Sequence, residues 1–416
     1  MTAAPRVVIV ADDLTGAMDV AGPLAARGLR TRAVASIAGC TPQHLAGAEV
    51  VSINADSRHL SPDAAARRVR DILRELVHPD AEILIKKIDS TLRGNVVAET
   101  LAMLEASGRS VAVVAPAFPA QGRTVIGGVV HVRGVPLKDT NFAHDALSPP
   151  PLDPLPVLFE RLDPHVRVDL VGAGQPMSPA RDERHRIFAV DGGSDEDLRS
   201  TVRALQGGLR DALLVGSAGI AEALAEVCFA GIRNSIPAPA VDGVLLFVVG
   251  SRAEQSAQQV AALEANGAAV FAAPNGRVDV EAVSRSNSML RVLKATPIPE
   301  GSEVAAETVA QSLAGAVAAI LERNLVAAVV ATGGDTAIAI LQRLSQPALQ
   351  VMGNLLPGIP YSRIRAGAGD VWFVTKAGGF GGKDALVTIA RRLRGAGEPS
   401  AADAVLTGRT GQEGGL

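Results

Sequence analysis

The chain of 416 residues lacks the features that mark several large classes of protein. Its two cysteines, Cys40 and Cys228, lie far apart and form no CxxC motif, so neither a disulfide framework nor a zinc site is expected. Aromatic residues make up 3% of the sequence, too few for a row of stacking surfaces for nucleic-acid bases. The net charge of -3 provides no basic excess for binding a phosphate backbone. We therefore expect no nucleic-acid partner.

Long apolar runs are also missing. No run approaches the roughly 18 residues that a membrane-spanning helix needs, and the apolar stretch near the N-terminus is too short for the core of a signal peptide. We therefore expect a cytoplasmic protein with no membrane partner. Hydrophobic residues still make up 48% of the chain, so it can bury a large core, and its length favours two domains.

The order of the sequence patterns predicts an α/β fold. Apolar runs such as 6–11 and 83–88 each end in a polar loop, and a segment with helical apolar spacing follows. Repeated units of strand, loop and helix form mostly parallel sheets with helices on both faces. In the first unit, Thr15 is the predicted N-cap of a helix over 15–27. A second series of such units begins near 244.

Proline and small residues locate the predicted boundary between the two domains. Residues 232–243 contain NSIPAPAVDG, which has no apolar period and is expected to be a linker. We predict an N-terminal domain over 1–231 and a C-terminal domain over 244–395, each with a mostly parallel sheet flanked by helices, with the active site in the cleft between them. Residues 396–416 are predicted to form a flexible tail. The proline-rich segment 145–156 is expected to be an extended surface excursion of the first domain.

Glycine-rich loops follow two predicted strands of the C-terminal domain. In VVATGGDTAIAILQRL the glycines lie where a strand ends and a helix starts, an arrangement that binds anions through free backbone N–H groups and the helix dipole. A second loop, TKAGGFGGKDAL, carries four glycines. Ordinary capped turns would give the same pattern, and neither loop is a Walker A or GxGxxG motif. The candidate nucleotide-binding residues are Ser251, Gly333, Gly334, Asp335, Thr336 and Gly378.

Charged and hydroxyl side chains gather at two strand ends of the N-terminal domain. Asp12 and Asp13 end the first strand, and KKIDSTLRGN ends another. Such a group suits a small anionic ligand with hydroxyls, because Arg and Lys pair with a carboxylate while Asp and Ser bind hydroxyls. A solvated loop held by salt bridges is the competing interpretation. The candidate substrate-binding residues are Arg58, Lys86, Lys87, Asp89, Ser90 and Arg93.

A nucleotide site on one domain and a sugar-acid site on the other would place a phosphoryl donor opposite an acceptor hydroxyl. Phosphoryl transfer needs in-line positioning, Mg²⁺ to offset the phosphate charge, and a carboxylate that orients the attacking hydroxyl or accepts its proton. Asp12 and Asp13 are the catalytic candidates, and the sequence does not choose between them. The metal ligands stay unassigned, and no HxxxH or HExxH pair indicates zinc chemistry.

Taken together, these motifs resemble the four-carbon acid sugar kinase family. The resemblance runs from about residue 5 to 395 and rests on ADDLTGAMDVAG, NADSRH, KKIDSTLRGN, APAFPAQGRTVIGG, TNFAHD, VGSAGIAEAL, VVGS, ATGGDTA, LLPGIP and KAGGFGG. It implies ATP-dependent phosphorylation, with Mg²⁺, of the C4 hydroxyl of threonate, erythronate or 3-oxo-tetronate. It also implies a sugar-acid domain followed by a nucleotide domain, and assigns the ATP contacts to the nucleotide-binding candidates named above.

The chain departs from the family pattern in its last loop. Many relatives have KSGNFG there, whereas Ala377 and Gly379 replace the serine and the asparagine in this chain. Side-chain contacts from these two positions are therefore absent. The resemblance then implies that phosphate or ribose binding in this loop depends on the backbone or on Lys376.

Two other functions fit parts of the pattern. A sugar-acid dehydrogenase or isomerase would also place glycine loops after strands, but the chain has no GxGxxG with a later ribose-binding acid. A non-catalytic sugar-acid sensor would close its domains on the ligand, but it needs no second glycine-rich loop. The sequence leaves open which acid and epimer is bound, and whether the chain forms a homo-oligomer.

Overall fold

The computed structural model describes residues 5–77, 81–145, 148–163, 166–177, 186–232, 239–251, 254–296, 304–323, 326–366 and 369–395. The predicted tail and residues 233–238 of the predicted linker lie outside the described residues. Below, the N-terminal half means the described residues up to 232, and the C-terminal half means those from 239 onward.

The described residues form eighteen β-strands. They are β1 (Val7–Ala11), β2 (Thr31–Val34), β3 (Val50–Asn54), β4 (Ile83–Lys87), β5 (Val111–Ala115), β6 (Arg123–Ile126), β7 (Val129–Val132), β8 (Val135–Pro136), β9 (Arg167–Gly172), β10 (Arg186–Asp191), β11 (Ala212–Gly216), β12 (Val244–Val249), β13 (Ala269–Pro274), β14 (Leu290–Thr296), β15 (Val326–Thr332), β16 (Ala348–Leu356), β17 (Ile359–Ala366) and β18 (Gly369–Lys376).

Eleven α-helices alternate with these strands in the described part of the chain. They are α1 (Leu14–Ala26), α2 (Pro62–Leu76), α3 (Val96–Ser107), α4 (Leu155–Leu162), α5 (Asp195–Leu205), α6 (Ala218–Cys228), α7 (Glu254–Ala265), α8 (Val280–Arg285), α9 (Ala306–Arg323), α10 (Gly334–Arg343) and α11 (Ala385–Leu393).

Fifteen strands form one continuous sheet, in the order β13-β14-β12-β15-β18-β17-β16-β2-β3-β1-β4-β11-β5-β10-β9. Pairing is parallel from β2 to β9 and from β13 to β18, while β17 and β16 are antiparallel to their neighbours. The antiparallel pair β16–β2 joins the sheets of the two halves. The predicted α/β class is therefore confirmed. The sequence analysis missed β2, the strand that makes the two sheets continuous.

Helices cover both faces of the sheet in the C-terminal half. Every residue of β12 is apolar and buried, as expected for a central parallel strand. Its side chains alternate between two cores, since Leu246 and Val248 belong to the core that includes α9 and α10, whereas Phe247 belongs to the core that includes α7 and α11. The loops at the end of such a strand emerge between two helical layers.

Helix α1 packs against both halves of the molecule. Leu14 and Met18 belong to the core of the C-terminal half, whereas Val20 and Leu24 belong to the core of the N-terminal half. The first turn of α1 therefore lies where the two halves meet.

The predicted N-cap of α1 is wrong. The cap is Asp13, whose Oδ1 accepts a hydrogen bond from the Gly16 N–H at 2.7 Å. Thr15 instead lies inside the first turn and donates its hydroxyl to Asp13 Oδ2 at 2.6 Å. An aspartate satisfies a free helix N–H group and also complements the positive end of the helix dipole.

None of the helices in the described residues has the length and apolar character that crossing a membrane requires.

Candidate active site

A cavity of about 680 Å³ opens at the carboxyl ends of strands from both halves. Its lining includes residues that follow β1, β4, β12, β15 and β18. Open α/β sheets place their ligand sites at such strand ends. The cavity brings together thirteen of the predicted site residues: Asp12, Asp13, Arg58, Lys87, Asp89, Ser90, Arg93, Ser251, Gly333, Gly334, Asp335, Thr336 and Gly378.

Arg58 binds both catalytic candidates. Its Nε and Nη2 donate to the two carboxylate oxygens of Asp12 at 2.7 and 3.0 Å, and its Nη1 lies 2.8 Å from Asp13 Oδ2. Burial acts to raise the pKa of Asp13, but the charges of Arg58 and Lys87, together with hydrogen bonds from Thr15 and Gly16, outweigh it and hold that pKa below its ordinary value. Asp13 is therefore ionised at neutral pH and already paired.

Asp89 and Arg93 form a second bidentate pair on the same wall. The Arg93 Nε and Nη2 each lie 3.0 Å from an Asp89 oxygen, and the Arg93 Nη1 lies 3.2 Å from Asp145. Burial acts to raise the pKa of Asp89, yet Arg93 and then Arg58 hold it well below its ordinary value. The hydrogen bonds between these charged side chains hold them in fixed positions on the cavity lining.

Lys86 and Lys87 point to opposite faces of the sheet, because successive side chains of a strand alternate. Lys87 lines the cavity and donates to the carbonyl of Ile88 at 2.9 Å. Lys86 is fully buried away from the cavity, where its Nζ lies 2.6 Å from Glu99 on α3. We therefore leave Lys86 out of the proposed substrate site.

Glycines let the three loops after β12, β15 and β18 approach one another. Gly333 has φ of +101°, a conformation that glycine adopts without strain, and α10 begins at the next residue. A Cβ added to Gly378 would lie 2.5 Å from Ser251 Oγ, and a Cβ on Gly250 would lie 2.1 Å from Thr336 Oγ1. Side chains at these positions would therefore force the loops apart.

Lys376 hydrogen-bonds the backbone of the loop after β18 and does not line the cavity. Its side chain is buried, and the ammonium group donates to the carbonyls of Ala377 and Gly378 at 2.9 and 3.0 Å. Burial lowers the pKa of Lys376 to about 8. The geometry thus favours backbone contacts for a nucleotide at this loop and gives Lys376 a supporting position.

Sequence analysis missed four charged residues of the cavity, Asp19, Asp56, Arg123 and Asp145, of which Arg123 and Asp19 have a buried atom without a hydrogen-bond partner among the described groups. Arg123 lies over the ring of Phe142, 5.3 Å from its centroid, and its buried Nε has no hydrogen-bond partner in the described residues. Burial lowers the pKa of Arg123. Asp19 lies on α1 one turn after Thr15, and its buried Oδ1 also lacks a hydrogen-bond partner among the described groups. Arg123 and Asp19 each lie in a segment that was quoted only for the family resemblance, APAFPAQGRTVIGG and ADDLTGAMDVAG, and neither residue had a local signal of its own.

The proline-rich segment was only partly predicted. Its described residues before α4 contain no helix or strand, as expected, but Ser148 is 8% exposed and lines the cavity. Its Oγ lies 2.9 Å from His59 Nδ1. The expectation of a surface excursion is therefore wrong for this residue, because a polar partner from another loop holds it inward.

The chain matches two family models, a sugar-binding N-terminal domain over residues 7–224 and a nucleotide-binding C-terminal domain over residues 282–386. A D-threonate kinase from Bordetella bronchiseptica is 33% identical, with 94% of this chain and 98% of that protein covered. This chain belongs to the four-carbon acid sugar kinase family. Another member, a 3-oxo-tetronate kinase from Cupriavidus necator, is 28% identical over the same shares of the two chains. The crystal structure of a Haemophilus influenzae protein covers 93% of this chain and all of its own, with a TM-score of 0.67 at 20% identity, and supports the fold alone.

Proposed function

We propose that this protein is an ATP-dependent kinase that transfers the γ-phosphoryl group of ATP to the C4 hydroxyl of a four-carbon sugar acid. The observation that carries the proposal is one cavity with two chemically different ends. One end has ordered carboxylates and guanidinium groups, and the other has three glycine-containing turns at strand ends. Kinase relatives that align along nearly the whole chain support the same activity.

The start of α10 is the proposed position of the transferred phosphate. Backbone N–H groups at a helix N-terminus bind phosphate, and the helix dipole adds to the attraction. A Cβ placed on Gly334 would lie 3.7 Å from Thr15 Cγ2 and 4.0 Å from Asp13 Oδ2. A phosphate held at Gly334 therefore lies beside the residues that follow β1, where the acceptor is proposed to bind.

Arg123 and Lys87 are the proposed partners of the substrate carboxylate. Among the described residues, neither has a carboxylate within salt-bridge distance, whereas Arg58 and Arg93 have theirs. An anionic ligand would give each of these two cations a direct salt-bridge partner. The paired carboxylates Asp12 and Asp89 keep acceptor capacity for the substrate hydroxyls.

The donor set at the phosphate end fits Mg²⁺. No group of three His, Cys, Asp or Glu side chains gathers in the described part of the chain, as a zinc site would need. Mg²⁺ keeps several waters and takes one or two carboxylates together with phosphate oxygens. Asp13 and Asp335 are the carboxylates that line the cavity nearest Gly334, and we propose them as the metal-binding residues. Bound Mg²⁺ would offset the charge of the phosphates.

These positions place the two substrates on different parts of the chain. We propose that residues 1–231 bind the sugar acid, that residues 244–395 bind the nucleotide, and that 232–243 connect them. Threonate, erythronate and 3-oxo-tetronate are the proposed substrates. They differ at C2 or C3, and a site that hydrogen-bonds a particular hydroxyl rejects analogues that lack it.

A coupled assay of ADP release tests the proposal. The purified protein is incubated with ATP and Mg²⁺ and with the D and L enantiomers of threonate and of erythronate, and with 3-oxo-tetronate. We expect at least one acid to raise ADP release well above the rate without acid. If none does, the kinase proposal is wrong. Replacing ATP with NAD⁺ in the same panel tests the dehydrogenase alternative, for which we expect no NADH.

A further inference from the structure

The two aspartates predicted as catalytic are already paired with Arg58 in this structure. Arg58 binds both oxygens of Asp12 and contacts Asp13. Asp13 is also the N-cap of α1. The charges of Arg58 and Lys87 help to hold the pKa of Asp13 below its ordinary value, which lowers its affinity for a proton. A general base at neutral pH needs a carboxylate with weaker counter-charges.

Asp19 is a carboxylate of the cavity that forms no salt bridge with the described residues. It lies one helical turn after Thr15, so both side chains are on the face of α1 that lines the cavity. Its Oδ1 is buried and has no hydrogen-bond donor in the part of the chain that the structure describes. A buried acceptor without a donor is costly, so this oxygen is placed to accept from a ligand.

A glycine lies on the side of Asp19 that faces the C-terminal half. Gly358, in the turn between β16 and β17, has φ of +73°, and a Cβ on it would lie 3.2 Å from Asp19 Oδ1. The same Cβ would overlap the ring of Phe380. Gly358 thus lets the turn between β16 and β17 and the ring of Phe380 pack closely beside Asp19 Oδ1.

The charges that face Asp19 leave it able to take up a proton near neutral pH. They are Lys87 from β4, Asp13 at the start of α1 and Asp89 after β4, while Glu222 faces it from α6. Burial raises the pKa of Asp19 to about 6; Lys87 opposes the rise, and Asp13 and Asp89 add to it. Gly358 and Phe380, on the remaining side, carry no charge.

We infer that Asp19 is the general base of the proposed kinase. Its Oδ1 accepts the proton of the C4 hydroxyl while that oxygen bonds to the γ-phosphorus. The bond from this phosphorus to the β,γ-bridging oxygen breaks, ADP leaves with the electron pair, and Asp19 returns its proton to solvent. The inference rests on the proposed function and assigns to Asp19 a role that the sequence suggested for Asp12 or Asp13.

Asp19→Asn tests the role with little change in shape. We expect kcat to fall about 100-fold or more, because the amide cannot accept a proton, while the KM for ATP changes less than about threefold. Glu222→Gln is the matched control, since Glu222 is a half-buried carboxyl near Asp19 that does not line the cavity. We expect its kcat at pH 8 to stay within threefold of the unsubstituted protein.

The pH dependence separates a base from a merely structural residue. Because protonated Asp19 cannot accept a proton, kcat/KM should fall as the pH is lowered through about 6. The residual activity of Asp19→Asn should lack this acidic limb. Thermal unfolding of the variant checks that it is folded. If the variant does not fold, the pH profile of the unsubstituted protein tests the inference by itself. A kcat/KM that does not fall between pH 7 and pH 5 would overturn the inference.

The outcomes for Asp19 and for the proposed function are distinct. Turnover by the unsubstituted protein together with near-normal kcat in Asp19→Asn would overturn the role of Asp19 and leave the kinase proposal intact. No turnover with any acid would overturn the kinase proposal and, with it, this inference.

Discussion

Replacement of Lys86 by methionine distinguishes a structural lysine from a substrate-binding one. Lys86 is fully buried, and its Nζ lies 2.6 Å from Glu99 Oε2, on a carboxyl that is 1% exposed. Lys86 also donates to the carbonyls of Val10 and Lys87 at 3.4 and 2.9 Å. Methionine has a similar length but no charge, so Glu99 would remain buried without its partner.

The expected loss of stability follows from that uncompensated charge. Removing one partner of a buried ion pair costs about 3–5 kcal/mol, because the remaining charge has lost its counter-charge and cannot reach water. In this site the other oxygen of Glu99 already lacks a hydrogen-bond partner among the described groups, so nothing nearby replaces the lysine. Adding Glu99→Met to Lys86→Met should recover most of the loss, since apolar replacements of a buried pair are often neutral.

Equilibrium unfolding in urea, followed by circular dichroism, measures these differences. The exposed Lys138→Met is the matched control and should change the free energy of unfolding by no more than about 0.5 kcal/mol. We expect Lys86→Met, where enough folded protein remains, to keep the KM for the sugar acid within about threefold. A loss below about 1 kcal/mol, or a large rise in that KM with normal stability, would refute the structural assignment and return Lys86 to the substrate site.

Two further predictions concern the two ends of the cavity. Gly378→Ala should raise the KM for ATP about tenfold or more, since its Cβ would meet Ser251 Oγ at 2.5 Å, whereas Gly379→Ala should be nearly neutral because nothing lies within 4 Å of its Cβ. Equal effects of the two substitutions in steady-state kinetics would contradict this placement of the nucleotide loop. Arg123→Met should raise the KM for the sugar acid by about 10-fold to 100-fold, as expected for one lost charged hydrogen bond, and leave the KM for ATP unchanged. The exposed Arg133→Met is its control, and an unchanged KM for the acid in Arg123→Met would remove Arg123 from the carboxylate site.

Local patterns predicted most of the strands and helices near the site. The apolar runs 6–11 and 83–88 carry short-range signals, and the structure has β1 and β4 within one residue of these predicted bounds. The short strand β2 was missed because its four residues show no alternation, and it becomes a strand through its neighbours β3 and β16. Thr15 was predicted as a cap because both Thr15 and Asp13 are good capping residues, and only the backbone shows where α1 begins.

The motifs located the cavity better than they located individual roles. Carboxyl ends of parallel neighbours lie at one edge of a sheet, which explains why the residues after β1 and β4 lie together and why those after β12, β15 and β18 do. The sequence did not show how these two groups meet, because three antiparallel pairings separate them in the sheet. The sequence could not show that Lys86 and Lys87 lie in different environments. Lys86 pairs with a buried glutamate, whereas Lys87 lines the cavity. Nor could the sequence show that Arg58 binds both Asp12 and Asp13, because the pairing spans about 46 positions of the chain.

The central claim is that phosphate passes from ATP to the C4 oxygen of a four-carbon sugar acid. Two-dimensional ³¹P–¹H NMR of the reaction mixture tests it most directly, with the best acid from the ADP-release panel as substrate. We predict one new phosphate ester whose phosphorus couples to the two C4 protons, formed in equal amount with ADP. An ester on C2 or C3, or inorganic phosphate as the sole new phosphorus species beside ADP, would contradict the account.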